Sequence, residues 1–194
     1  GNLRPYAYPG SDTLENTPPP PSMLMTVHNN RLWFVDDENP NSLWYSKSIV
    51  PYVGLSPSET LSVDLDPKYG NISAIAEMDD KIIIFKPVGI FTMSGDGTDT
   101  LVTADTLTFP QSIPSDVGCP YPKSLALMPE GLIFKSYNGI YALNRSLSIG
   151  YIGFEVEDYN GQTILSADVI PGFSQIRFLT NSGYTLVFDY IIKQ

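Results

Sequence analysis

Short apolar runs bounded by turn-forming residues return along this chain at a nearly constant interval. Leu32-Trp33-Phe34-Val35, Ile82-Ile83-Ile84-Phe85, Leu132-Ile133-Phe134 and Ile176-Arg177-Phe178-Leu179 begin 50, 50 and 44 residues apart. Runs of this length, with no recurrence at i, i+3, i+4 and i+7, predict strands, and a period in this range predicts a repeat architecture. In the last three copies the next strand begins eight residues on, after a turn carrying glycine. These turns are Val88-Gly89 before Ile90-Phe91, Asn138-Gly139 before Ile140-Tyr141, and Ser182-Gly183 before Tyr184. The first copy lengthens its turn through Asn39-Pro40-Asn41 before Leu43-Trp44-Tyr45. Entry strands are predicted at Met23 to Val27, Ile72 to Ala76, Ser124 to Leu127 and Ile164 to Ile170. Outer strands are predicted at Thr60 to Leu65, Asp105 to Phe109 and Tyr151 to Val156, and the fourth unit has none.

Repeated antiparallel meanders of this length predict an all-β fold, a β-propeller of about four antiparallel blades that closes its own ring or joins a larger one. The blades are expected at about 23–66, 72–109, 124–157 and 164–194. The 17 Pro, 15 Gly, 12 Tyr and 9 Phe among 194 residues suit strands and punctuated turns. Residues 1–22 read as an extended leading segment, with Pro18 to Pro21 holding polyproline geometry. Within it Arg4 to Tyr8 is the candidate strand to complete the fourth unit, because an open sheet edge invites unwanted pairing. The chain opens Gly-Asn-Leu-Arg without an initiator Met and stops just after a third strand, which suggests a piece of something longer.

Charge narrows the partners. With 11 Lys and Arg against 21 Asp and Glu, the formal charge is −10, which repels a phosphate backbone. Sequence-specific nucleic-acid binding is not expected. No run approaches the roughly 20 apolar residues that cross a bilayer, so no membrane role is expected. One cysteine, Cys119, excludes an internal disulfide and a cysteine-rich zinc site.

Candidate chemistry is sparse. His28, the single histidine, stands in Val27-His28-Asn29-Asn30-Arg31 and reads as a hairpin-turn residue with no nucleophile signature beside it. Cys119, in Gly118-Cys119-Pro120, has no adjacent cation to activate it and reads as a small packed residue. Asp36-Asp37-Glu38 offers carboxylates for acid/base work of the glycosidase kind, which needs a pair ~5–10 Å apart, but the same residues suit a hairpin turn. Asp64-Leu65-Asp66 alternates across a strand end, Gly95-Asp96-Gly97-Thr98-Asp99 resembles half a calcium loop without its closing glutamate, and both read as solvated turns. No phosphate-binding glycine loop is present in the sequence. Catalytic, cofactor-binding and metal residues are therefore expected to be none, and no cofactor is expected. Trp33, Trp44 and several tyrosines, including Tyr45, Tyr52, Tyr121, Tyr137 and Tyr159, are candidates for interface or carbohydrate contact where exposed.

One family shares several of these strings. Pro18-Pro-Pro-Pro-Ser-Met-Leu-Met-Thr-Val-His-Asn-Asn-Arg-Leu-Trp-Phe and Asn41-Ser-Leu-Trp-Tyr-Ser-Lys resemble the propeller region of tail hub and nozzle proteins of tailed bacteriophages, among them packaged-DNA stabilisation proteins. Ile75-Ala-Glu-Met-Asp-Asp-Lys-Ile-Ile-Ile-Phe-Lys, Gly118-Cys-Pro, Gly131-Leu-Ile-Phe-Lys-Ser-Tyr-Asn-Gly-Ile-Tyr-Ala-Leu and Leu186-Val-Phe-Asp-Tyr extend the likeness over most of the chain from Pro18 onward. The resemblance implies a non-enzymatic virion module in a homo-oligomeric ring around the tail channel, with docking surfaces for other tail or neck proteins. The other readings open at this point are a carbohydrate- or protein-binding propeller and a glycosidase-like enzyme.

Overall fold

The computed structural model describes residues 16–52, 54–100 and 106–192, so the Arg4 to Tyr8 strand expectation lies outside the described residues. The described chain is all-β and forms four antiparallel sheets in chain order. Sheet 1 holds β1 (Met25–His28), β2 (Arg31–Val35), β3 (Ser42–Ser46) and β4 (Pro57–Asp64). Sheet 2 holds β5 (Ala74–Met78), β6 (Lys81–Lys86), β7 (Gly89–Ser94) and β8 (Gln111–Ile113). Sheet 3 holds β9 (Ala126–Met128), β10 (Gly131–Ser136), β11 (Gly139–Asn144) and β12 (Ile149–Tyr151). Sheet 4 holds only β13 (Ile164–Ile170), β14 (Gln175–Thr180) and β15 (Thr185–Asp189).

The second strands fall where the apolar runs place them, and so does the outer strand of sheet 1, β4, over Thr60 to Asp64; the outer strands of sheets 2 and 3 do not. The outer strand of sheet 2 is Gln111–Ile113, beyond the expected Asp105 to Phe109, of which residues 106–109 are irregular. Thr106 and Thr108 instead cap β7 and its loop, their hydroxyls accepting from the Asp96 and Ser94 N–H groups. In sheet 3 the outer strand is Ile149–Tyr151, and Phe154–Tyr159 turns in 3-10 fashion where a strand to Val156 was expected. Hydrogen bonds from the Val156 N–H to Gly153 O and from the Asn160 N–H to Glu157 O favour that coil over an extended path.

Three apolar layers join the four sheets. Trp33, Val35, Leu43 and Tyr45 of sheet 1 pack on Ile75, Ile82, Ile84 and Met93 of sheet 2. The other face of sheet 2, with Met78, Ile83, Phe85 and Ile90, packs on Leu132, Phe134 and Leu143 of sheet 3. The far face of sheet 3, with Ile133 and Ile140, packs on Ile164, Ile176, Phe178 and Leu186 of sheet 4. Sheets 2 and 3 thus bury both faces, which is why β6 and β10 read as continuous apolar runs. β14 alternates instead, with Ile176, Phe178 and Thr180 buried and Arg177 and Leu179 exposed. At the other end, the Thr17 N–H donates to Pro57 O and the Asp37 N–H to Pro21 O, tying the Pro18–Pro21 run to sheet 1.

Turn chemistry fixes the hairpins. Asn29 and Asn30 both have positive φ, +46° and +58°, the conformation of a two-residue turn whose twist matches the flanking strands. Gly139 at φ +128° and Gly183 at φ +86° meet the expectation for glycines before third strands. Gly89 does not share that backbone; a Cβ there would lie 2.9 Å from the Tyr69 ring, so close packing is what requires glycine.

The linkers between sheets are held by buried lysines. Lys86, fully buried at the end of β6, donates from Nζ to Asp66 O (2.6 Å), Gly70 O (2.8 Å) and Asn41 Oδ1 (2.5 Å), gathering the sheet 1 to sheet 2 linker and the β2–β3 turn. Burial pushes the Lys86 pKa down, opposed by the nearby Asp66 charge. Lys135 of β10 likewise donates to Ser136 O (2.8 Å) and Asn160 O (2.9 Å), the latter in the sheet 3 to sheet 4 linker.

Two outcomes follow for stability. Gly139→Val forces a β-branched residue to φ +128° with its Cβ 2.6 Å from the Tyr151 ring. It should cost about 1–3 kcal/mol in denaturant unfolding, and an unchanged midpoint refutes the turn's role. Lys86→Met leaves two carbonyls and an amide oxygen without their donor and should cost about 2–4 kcal/mol by the same measurement.

Candidate functional site: the cleft between sheets 3 and 4

The residues weighed for chemistry are committed to the scaffold. His28 flanks the expected hairpin turn at Asn29-Asn30, where it closes β1; its side chain is fully buried, and Nδ1 lies 3.2 Å from Glu77 Oε1 of β5. Its placement links sheets 1 and 2, which neighbouring sequence does not foretell. The Trp33 ring is buried in the layer between the same sheets, stacked on Tyr45 at 4.7 Å, and so cannot contact a carbohydrate. Trp44 is half-buried 6.2 Å from Phe34. Of the tyrosines, Tyr52 and Tyr137 are exposed, Tyr45 is buried, and Tyr121 and Tyr159 are half-buried.

The carboxylates act as turn and loop anchors. Asp36 Oδ1 accepts from the Glu38 N–H at 2.9 Å, and Asp37 Oδ1 from the Met23 N–H at 3.4 Å. Asp66 Oδ1 caps the Lys68 N–H at 2.8 Å, the turn expected of it. Asp96 Oδ1 accepts from Asn29 Nδ2 at 2.7 Å. Although burial opposes its ionisation, hydrogen bonds from the Ser48 N–H and hydroxyl, with the Arg31 guanidinium beside it, hold Asp99 below the ordinary carboxylate value. Among the described residues no three His, Cys, Asp or Glu side chains gather as a metal centre.

Gly118-Cys119-Pro120 is a clamp on the β6–β7 hairpin. The Cys119 N–H donates to Lys86 O at 3.1 Å, the Ser73 hydroxyl donates to Cys119 O at 2.6 Å, and a Cβ on Gly118 would sit 1.9 Å from Lys86 O. Burial pushes the Cys119 thiol up to about 11.

What remains open is a cleft of about 560 Å³ between sheets 3 and 4. Its walls include Ile140 and Ala142 of β11 and Phe178, Leu186 and Phe188 of sheet 4, with Glu130 and Glu155 also lining it. Among the described residues β12 has three residues and sheet 4 has three strands, and the cleft lies beside them. Tyr151 and Phe154 line it with ring centroids 4.6 Å apart, and Phe154 is 70% exposed; Tyr141, 5.1 Å from Tyr151, packs on the layer between sheets 2 and 3. Tyr151 donates its hydroxyl to Glu157 at 3.1 Å. An apolar space with carboxylates among its lining suits an apolar group more than a small charged one. Residue types alone do not mark this cleft.

No protein-family model matches this chain, and no curated protein matches it.

The Cys119 environment has a direct readout. With its pKa near 11, roughly 0.1% of the thiol is ionised at pH 8, against about a quarter of an ordinary cysteine. A chromogenic disulfide reagent at pH 8 should label the folded protein far more slowly than the urea-unfolded one; equal rates overturn this assignment.

Proposed function

We propose that the chain is a non-enzymatic structural module of a tailed-bacteriophage virion. Its four sheets act as blades of a β-propeller that forms part of the tail hub or nozzle ring around the DNA channel and docks other tail proteins. The observation that carries this reading is that the groups able to do chemistry are engaged inside the scaffold. His28 bridges two sheets, Cys119 is a buried thiol at a clamp, Asp36 and Asp37 hold backbone N–H groups, and Lys86 and Lys135 bind linker carbonyls. Support also comes from the sheets themselves: three or four antiparallel strands each, in chain order, joined face to face as blades would be. The resemblance of the Pro18–Phe34 and Gly131–Leu143 strings to tail hub proteins supplies the setting, and a net charge of −10 suits a wall past which DNA slides without adhering. Among the described residues no helix is long and apolar enough to cross a membrane.

Two experiments decide it. Electron microscopy of the source particle should find this chain in a ring at the tail; its absence from the particle refutes the reading. The purified protein should show no turnover of a panel of glycosides and polysaccharides. Turnover that Asp36→Asn or Asp37→Asn abolishes replaces the structural reading with a glycosidase.

A further inference from the structure

The tripeptide Tyr-Asn-Gly occurs twice, as Tyr137-Asn138-Gly139 and as Tyr159-Asn160-Gly161. Asparagine before glycine can modify itself, because no side chain shields the next backbone nitrogen from the asparagine's own amide. Base takes the proton from the glycine N–H, and the nitrogen attacks the asparagine Cγ. A new N–Cγ bond closes a succinimide as the Cγ–Nδ2 bond breaks, and Nδ2 leaves with an added proton as ammonia. Water then opens the ring to aspartate or, at the other carbonyl, to isoaspartate. The sum is an amide and water giving a carboxylate and ammonium, with no oxidant or cofactor. Both asparagines have the same neighbours on either side, so the fold is what sets their rates apart.

In the β10–β11 hairpin the glycine nitrogen is engaged. Gly139 pairs with Ser136, and Ile140 gives its carbonyl to the Ile152 N–H on the β12 side. Backbone groups of successive residues face opposite sides of a strand, so the Gly139 N–H points at β10 and closes the hairpin on Ser136 O. Gly139 is buried at φ +128°, and a Cβ there would lie 2.6 Å from the Tyr151 ring. Turning this peptide towards the Asn138 side chain opens the ladder.

The linker from sheet 3 to sheet 4 lacks those restraints. Asn160 ends the Phe154–Tyr159 coil at φ −61° and ψ −26°, with its N–H on Glu157 O and the Gln162 N–H on Tyr159 O. Gly161, between them, is exposed; its N–H meets no acceptor among the described residues, and a Cβ there would have nothing within 4 Å. Two long contacts hold the Asn160 side chain, from Nδ2 to Asn138 O at 3.4 Å and to the Tyr151 hydroxyl at 3.5 Å. One firm bond remains, from Lys135 Nζ to Asn160 O at 2.9 Å. Ring closure swings that carbonyl with its peptide, so the lysine holds the resting conformation. We propose that Asn160-Gly161 is a self-modification site of the folded protein, that Lys135 is the positioning residue that restrains its rate, and that Asn138-Gly139 is its protected twin. Conversion puts a new carboxylate into the linker between sheets 3 and 4 and, in the isoaspartyl form, an extra carbon into its main chain.

The experiment incubates the full chain in mildly alkaline buffer, folded and in urea, and follows the conversion of amide to acid by mass spectrometry of tryptic peptides. The peptide 146–177 holds Asn160 as its sole asparagine, and 136–145 holds Asn138, which fragmentation separates from Asn144. Folded chain should convert Asn160 at least about tenfold faster than Asn138, and in urea the two rates should agree within about twofold. Lys135→Met should raise the Asn160 rate at least about threefold and leave Asn138 as in the parent, whereas a general loosening raises both. Circular dichroism checks the fold of Lys135→Met; if it is unfolded, the parent's folded ratio decides alone. The proposal is overturned by a folded parent that converts Asn138 as fast as Asn160 or converts neither, and by a folded Lys135→Met in which Asn160 is no faster or both sites speed up alike.

Discussion

Sheets 2 and 3 are apolar on both faces, and the rest of the molecule is arranged around that requirement. A sheet whose two faces both exclude water needs a neighbour on each side, so neither can fold as a free unit. Ile82, Ile83, Ile84 and Phe85 of β6 send successive side chains into two different layers, and Phe85 meets Phe134 of the next sheet at 5.0 Å. Fully burying each such side chain contributes roughly 1.5–3 kcal/mol, so four consecutive ones outweigh any single polar contact in the structure. The end sheets answer differently: sheet 4 turns Arg177 and Leu179 to the outside, and sheet 1 is tied to the Pro18–Pro21 segment.

Apolar layers set which sheets meet but leave the linkers between them unspecified, and this is where the buried polar groups act. A carbonyl in a linker crossing from one sheet to the next has no ladder partner, and leaving it unpaired in the interior costs about as much as a lost hydrogen bond. Lys86 and Lys135 supply the missing donors from long stems whose methylenes pack with the core. Ser73 and Cys119 do the same with shorter reach at the start of sheet 2.

The second and third strands were legible because their signal is local: an apolar run, a turn and a glycine or asparagine pair within a dozen residues. Asn29-Asn30 and Gly139 carry their backbone geometry in their identity. The outer strand of sheet 1 was legible too, but those of sheets 2 and 3 were not, because β8 and β12 have three residues each and are paired by a neighbour's edge more than by their own pattern. Phe109 reads as the end of a strand yet is 88% exposed, since the residues before it cap β7 and do not extend a ladder. The burial of His28 and Trp33 was not legible for the same reason: contact with Glu77 and with the sheet 2 layer depends on residues about 50 positions away. The cleft was not legible, because its lining residues carry no mark in sequence.

Every strand in the described structure pairs only with strands next to it in the sequence. Among the described residues each sheet is therefore a string of hairpins. Loop-closure entropy in forming a sheet stays small, and the slow step shifts from pairing strands to docking completed sheets. A ribosome releasing this chain from its N-terminus would emit sheet 1 whole, then sheet 2 as the surface that covers it. Assembly in the order of synthesis keeps the exposed apolar face at any moment to that of the newest sheet.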